Sequence, residues 1–295
     1  MELKLLSDSV FYIPNASNIG VIKKDEGCIL IDTGLDAETG KKVLALLAQQ
    51  GLSVNAIINT HSHADHCGGN RIIKEKTSCR VYAPTIESSI IENPILEPVG
   101  FFSWASPLQE LKNKFLMADP CKVDEAVSPG DLEINGLPLR IVPLPGHSIN
   151  QMGIDVDNVL FCADSFFSGE TIEKHKIPFF TDIEYSIKTL DHLKQTTYGT
   201  YVPAHLVPLS DPLPFIEANL QAIDRINETV LESLGVKGTT EQLLERTCDS
   251  LEVSISSVQQ YYLLKTTLLA CIAHLQKIGE IGTKVEKNHL FFKRT

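Results

Sequence analysis

The chain has no excess of positive charge, no long apolar run and no ordered cysteine framework, and each lack excludes a class. Lys and Arg number 26 against 37 Asp and Glu, a net charge of -11, which argues against a surface built mainly for nucleic acid or anionic membrane. No uninterrupted apolar stretch is long enough to span a bilayer. The start, MELKLLSDSVFYI, lacks the basic opening and long apolar run of a leader peptide. Seven cysteines, an odd and scattered set, do not make a disulfide framework, so a soluble, reducing, cytoplasmic setting is expected. Neither an internal repeat nor a low-complexity tract stands out. What remains is an ordinary globular composition, 43% hydrophobic and 21% charged. At 295 residues it has room for one large domain, or one plus a small appendage, around a substantial core.

Against these absences stands one dense stretch, IINTHSHADHCGGN at 57–70. Ile57 and Ile58 end an apolar run that reads as a buried strand, and His61, His63, Asp65 and His66 follow within six positions. Imidazole nitrogen with carboxylate oxygen suits zinc, iron or manganese. In extended backbone, residues two apart point the same way, so His61 and His63 can reach one ion. If the chain then turns into a helix, Asp65 and His66 swing to a neighbouring position and can reach a second.

Along the chain, strands are expected at Val10–Ile13, Ile19–Lys23, Cys28–Ile31, Val54–Ile58 and Arg80–Ala83, with helices at 37–50 and 70–76. This alternation points to an α/β layered domain. Cys28–Ile31 ends in Asp32, a carboxylate at the mouth of a buried strand. It serves either as a hydrogen-bonding partner for a loop or as a group that orients a metal-binding histidine. Residues 85–127, broken by prolines at 94, 98, 107 and 120, read as a lid-like insertion. Its Phe101, Phe102 and Trp104 either wall a substrate pocket or pin the insertion to the core. Further strands lead to Pro-Gly-His147, to Ala-Asp164 and, after a helix at 182–195, to Ala-His205. Strand ends and their loops collect ligands at one edge of open α/β sheets. Leaving Asp32 aside, seven candidate ligands divide into two sets that Asp164 can bridge.

Beyond Pro212 the pattern becomes helical: 213–234, a helix opening at Thr239 with Gln242 completing a capping box, and 256–278 with a possible break. Residues 280–293 then alternate like a hairpin turning at Lys287-Asn288. Helix, helix, helix, hairpin is the order of a winged-helix module. The division expected is 1–212 for the metal-binding domain and 213–295 for the helical one.

Taken together, HSHADH, Pro-Gly-His147, Ala-Asp164 and Ala-His205, preceded by Asp32-Thr-Gly, resemble the metallo-β-lactamase superfamily, with a closest likeness to its glyoxalase II-like branch and to members with a C-terminal winged helix. The resemblance implies a four-layer αβ/βα sandwich with a metal site at one edge. It implies two divalent ions, zinc first and iron or manganese as alternatives. His61, His63 and His147 would hold the first, and Asp65, His66 and His205 the second, with Asp164 shared. Asp32 corresponds to the family's non-ligand aspartate, and Leu206 stands where many members have glycine.

The function expected is metal-dependent hydrolysis of an ester or thioester-type small molecule. Metal-activated water attacks, and Asp65 helps to orient it. A ribonuclease is the alternative, motivated by Lys284, Lys287, Lys293 and Arg294 near the hairpin. Against it, the helix Thr267–Lys277 is mostly apolar where nucleic-acid readers present Arg or Lys, so a structural or dimer-forming role fits that module better. An iron-dependent redox enzyme and a non-catalytic metal sensor are further readings. His175 either meets substrate or sits in a solvated loop, and Cys67 and Cys162 near the site read as packing residues.

Overall fold

The apolar runs assemble into two sheets packed face to face, described by a computed structural model of residues 1–295. The first sheet holds β1 (Lys4–Leu5), β2 (Val10–Ile13), β3 (Ile19–Lys24), β4 (Gly27–Ile31), β5 (Ser53–Ile58), β6 (Arg80–Pro84) and β7 (Glu125–Val127), in that spatial order. Its first four strands pair antiparallel and the last four parallel. The second holds β8 (Gly130–Ile134), β9 (Leu137–Pro143), β10 (Met152–Val156), β11 (Val159–Ala163) and β12 (Thr200–Pro203). It is antiparallel except where β12 joins β11.

The uniformly apolar β4 shows why two layers become four. Ile29 and Ile31 point into a cluster of 18 buried residues between the sheets, with Ile141, Ile154 and Phe161 of the second sheet. Cys28 and Leu30 point the other way, into a second cluster beneath α1 (Ala37–Gln49) and α3 (Asn70–Thr77). A strand covered on both faces needs no polar side. Asp36 caps α1 by accepting from Thr39 N at 3.0 Å. Between β5 and α3 lies the four-residue helix α2 (Ala64–Cys67), the turn into helix expected after His63.

The outer face of the second sheet is covered by α7 (Ile183–Lys194) and by three C-terminal helices, α8 (Leu213–Ser233), α9 (Thr240–Ser250) and α10 (Val258–Lys277). Leu160, Cys162 and Tyr201 of the sheet share one core with Ile223, Leu243 and Leu268 of those helices. The αβ/βα sandwich therefore forms as expected, and its last layer includes residues beyond 212. Two polar side chains reinforce the contact. Asn219 brackets the backbone of Phe167, and Thr267 Oγ1 accepts from Phe180 N at 3.0 Å. The capping box at Thr239 and Gln242 is present. The hairpin β13 (Ile281–Glu286) and β14 (His289–Arg294) turns at Lys287 and Asn288, both with positive φ. No helix is long and apolar enough to cross a membrane.

Three details differ from expectation. α10 runs unbroken, and Leu268, Ala270, Ile272 and Leu275 on it are buried. The segment after β11 forms the short helix α6 (Gly169–His175), capped by Ser168. With Ile172 as its one buried residue it has no apolar period to read. The inserted stretch contains α4 (Thr85–Glu92), α5 (Leu96–Phe101) and a 3-10 turn at Gln109–Leu111, and its last three residues return to the sheet as β7.

Candidate metal centre

The strand ends meet where the two sheets share an edge, and the seven candidate ligands meet with them. Ligand atoms of His61, His63, His147 and Asp164 lie within 4.8 Å of one another, as do those of Asp65, His66 and His205. His63 Nδ1 is 3.0 Å from both His61 Nε2 and His147 Nε2. Asp164 Oδ2 is 3.2 Å from His147 Nε2 and 3.5 Å from His66 Nε2. His205 Nε2 is 3.3 Å from Asp164 Oδ1 and 3.6 Å from Asp65 Oδ2. Donors about 2.0 Å from one tetrahedral ion sit roughly 3.3 Å apart. Asp164 touches both sets.

The imidazoles are aimed by what their other nitrogens meet. His66 Nδ1 donates to Asp32 Oδ2 at 2.8 Å, His147 Nδ1 to Phe179 O at 3.1 Å and His205 Nδ1 to Ala16 O at 2.7 Å. Each bond turns Nε2 into the cluster, the usual way to aim the nitrogen that would meet a metal. His63 is reversed: its Nδ1 faces the cluster and its Nε2 lies 3.7 Å from Glu97 Oε1. Asp32, at φ 60, also accepts from Thr60 N at 2.8 Å and Thr60 Oγ1 at 2.7 Å. It therefore plays both parts expected of it, tying a loop and orienting a histidine.

Backbone geometry makes room for this. The register against β12 shifts between Phe161 and Ala163, and Ala163 has φ 46, turning Asp164 toward the cluster. A side chain at Gly68 would put its Cβ 1.9 Å from Leu35 O, so only glycine lets this turn pack against the Asp32 loop. Leu206, in place of glycine, is tolerated: its carbonyl accepts from Asn18 Nδ2 at 2.5 Å.

The two sets differ electrically. Burial holds His63 and His147 down to about 4, and burial with neighbouring imidazoles holds His61 well below its ordinary value. These three are neutral at pH 7, the form that binds metal. Burial also opposes charge on His66, yet Asp65, Asp32 and Asp164 outweigh it and hold it well above 6.5. Asp164 chiefly raises His205 to about 9. Burial works against Asp164 itself, but His205, His66 and His147 keep its pKa well below the ordinary carboxylate value.

The chemistry of the set fits divalent cations. His66 Nε2 and Asp164 Oδ1 are buried with no hydrogen-bond partner, since the 3.3 Å approach of His205 lacks hydrogen-bond angles. Orphaned buried atoms of this kind are costly unless something fills the space between them.

The sequence model of the metallo-beta-lactamase superfamily matches residues 12–205. This chain belongs to that superfamily. Among its relatives, a hydroxyacylglutathione hydrolase of Rhodopseudomonas palustris (strain BisB18) is 33% identical over 137 residues, 45% of this chain and 42% of that protein. One of Rhodospirillum rubrum is 27% identical over 169 residues, 57% of this chain and 51% of that protein. The chain thus spans about half the length of the curated relatives it matches. Solved structures share the fold over nearly the whole chain. A metallo-beta-lactamase family protein of Thermus thermophilus has TM-score 0.77 at 20% identity, covering 98% of this chain and all of its own. A beta-lactamase domain protein of Burkholderia ambifaria has TM-score 0.74 at 14% identity, covering 99% and 95%.

A cavity of about 480 Å³ opens above the candidate ligand cluster. Phe101 and His175 line it. Phe102 instead packs on Tyr262 of α10, with ring centroids 5.7 Å apart, and Trp104 is 77% exposed. Phe102 thus pins the insertion to the core, the other alternative for these aromatics, and Trp104 does neither; that neither walls the pocket corrects the pocket reading for these two. Phe179 takes the wall position, 5.7 Å from the His63 ring and 6.0 Å from Phe101.

Two carboxylates were not legible. Glu87 on α4 is 1% exposed and accepts from Ser62 N at 3.1 Å, Ser62 Oγ at 2.5 Å, Ser148 Oγ at 2.7 Å and Asn150 N at 2.9 Å. It ties the loop of His61 and His63 to the loop of His147. Glu97 on α5 reaches the cavity, and burial, with the Glu87 charge, pushes it up to about 8. Both sit in the first turn of a short helix, where a solvated acidic residue is the usual occupant. Only their tertiary surroundings distinguish them.

Proposed function

We propose that this chain is a metal-dependent hydrolase of ester or thioester-type small molecules. The observation that carries the reading is the meeting of seven ligand atoms from four strand ends around the orphaned His66 Nε2 and Asp164 Oδ1. His61 Nε2, His63 Nδ1 and His147 Nε2 would hold one divalent ion. Asp65, His66 Nε2 and His205 Nε2 would hold another, and Asp164 would lie between them. The nitrogen-rich set favours zinc over manganese or iron. Such ions supply Lewis acidity and lower the pKa of water from about 16 toward 7. The protein's part is to place and to exclude. Ser17 Oγ donates to Asp65 Oδ2 at 2.5 Å, which steadies a carboxylate that faces both the ligands and the cavity and can take a proton from the attacking water. Phe167 and Phe179, each with its ring against His147, keep bulk water from the reacting carbonyl.

The nucleic-acid reading is not favoured, because Leu268, Ala270, Ile272 and Leu275 of α10 are buried in the core and this half of the helix has only His274 and Lys277 as basic residues, where groove readers present several. The test is metal analysis of the purified protein, with hydrolysis of simple thioester and phosphodiester substrates before chelation, after it, and after adding back Zn, Mn or Fe. Thioester turnover lost with the metal and restored by it supports the proposal. A protein that binds none of these ions, or turns over only the phosphodiester, overturns it.

A further inference from the structure

Beyond the candidate ligands, the cavity lining carries no cationic side chain. Of its 20 residues, none is Lys or Arg. Its apolar side is built by Phe101, Phe115, Phe167, Phe179, Leu263 and Leu264, drawn from the insertion, from the segments around α6 and from α10. The polar groups beyond the ligands are neutral or acidic. Gln259 and Gln260 open α10, Thr171 and His175 lie on α6, and Glu97 lies on α5. Burial, with Lys174, holds the His175 imidazole below its ordinary value, so it is no cation at pH 7. Glu97 is neutral when protonated and negative when ionised, and in neither form does it anchor an anion. Two lysines approach the rim: Lys174, exposed beside His175 and turned from the lining, and Lys114, whose Nζ lies 5.6 Å from the centre of the Phe115 ring. Lys114 points to solvent, 61% exposed, and is paired with Asp36 at 3.2 Å.

We propose that the substrate is a thioester or ester with an apolar acyl group and a leaving group free of carboxylates, and that glutathione thioesters are discriminated against. This rests on the hydrolase reading above and narrows it. A glutathione conjugate carries two carboxylates and one ammonium group. Seated with its carbonyl at the ligand cluster, it would bring those carboxylates against phenyl rings, leucines and amides. A carboxylate taken from water without a cationic partner is strongly disfavoured, and a site that leaves charges unpaired rejects such a ligand far more sharply than one that merely lacks a methylene contact. A cavity of about 480 Å³ is ample for a medium acyl chain with a small neutral thiol. The kind of thiol handled by the curated relatives is thus the feature that this pocket does not reproduce.

The experiment uses the full chain loaded with zinc and three thioesters of one acyl group: S-hexanoyl-N-acetylcysteamine (neutral), hexanoylthiocholine (cationic) and S-hexanoylglutathione (anionic). The expected kcat/KM for the neutral or cationic ester exceeds that for the glutathione ester by about 100-fold or more. Calorimetric titration with the matching S-hexyl thioethers, which cannot react, should show the neutral one binding about tenfold tighter or better than S-hexylglutathione. Phe115→Arg and Thr171→Arg each add a cation at the rim and should raise the glutathione-to-neutral ratio about tenfold. A glutathione ester that matches or beats the neutral one, or a ratio unmoved by both variants, overturns the inference and leaves the hydrolase reading standing. Failure of all three esters with zinc bound overturns both.

Discussion

The two halves of the ligand cluster use the same residue types and are prepared in opposite ways. His61, His63 and His147 are neutral and mostly enclosed, while His66 and His205 are held protonated by carboxylates, and His205 and Asp65 are about one-third exposed. The first set is ready for an ion as it stands. The second must release protons to accept one, and it faces solvent while doing so. Each half also has one buried carboxylate behind it. Asp32 aims His66 and grips Thr60, and Glu87 grips the loops of His61, His63 and His147. Affinity in such a centre is set as much by these anchors as by the ligands.

The comparison breaks most completely at Asp164, the residue common to both halves. Asp164→Asn should lower both metal content and hydrolysis by more than about 100-fold, beyond the 10–100-fold typical of groups that only orient ligands. Metal analysis beside turnover checks this, and a variant that keeps both ions would show that the halves are independent. Asp32→Asn should separate them. The second ion should bind roughly 10–100-fold more weakly while the first is little changed, which a two-site chelator competition reads directly. Glu87→Ala should act on the first half and on stability together. It strips partners from buried Ser62 and Ser148 and should cost about 3 kcal/mol, seen as a lower denaturant midpoint, with metal loss confined to the first ion.

The smallest effect is the pH dependence of the metal-free protein. His205 is raised from 6.5 to about 9 in the folded state, and His66 is raised as well. Their contribution to stability is complete below about pH 6.5 and is lost as pH rises through about 9. Thermal melts of chelated protein should therefore fall between those limits. Melts of loaded protein should be flat or rise, because the ions occupy the places of the protons. Parallel curves with and without chelator would contradict the assignment of these two histidines to a metal.

The candidate ligands were legible because each is announced locally, by a cluster of four within six positions or by a polar residue at the end of an apolar strand. The double-sided apolarity of β4 and β11 likewise made the layering readable. The pocket was not legible. Phe101 and Phe102 are adjacent and chemically equivalent, and only the docking of α5 decides which one faces the cavity. Trp104 carries the largest side chain of the insertion and contributes nothing to the wall. Leu263 and Leu264 read as helix core, and their place beside the cluster depends on how α10 lies across the loop at 178–180. Glu87 and Glu97 look like ordinary solvated helix starts until burial is known.

The grip of Asn219 on Phe167, and of Thr267 on the Pro178–Phe180 backbone, ties the final quarter of the chain to the segments that flank the cavity. Grafting that quarter from one homologue to another would therefore transplant a back wall together with its moorings. In this scaffold, new pocket shapes would be exchanged as whole helices, leaving the edge that holds the candidate ligands untouched.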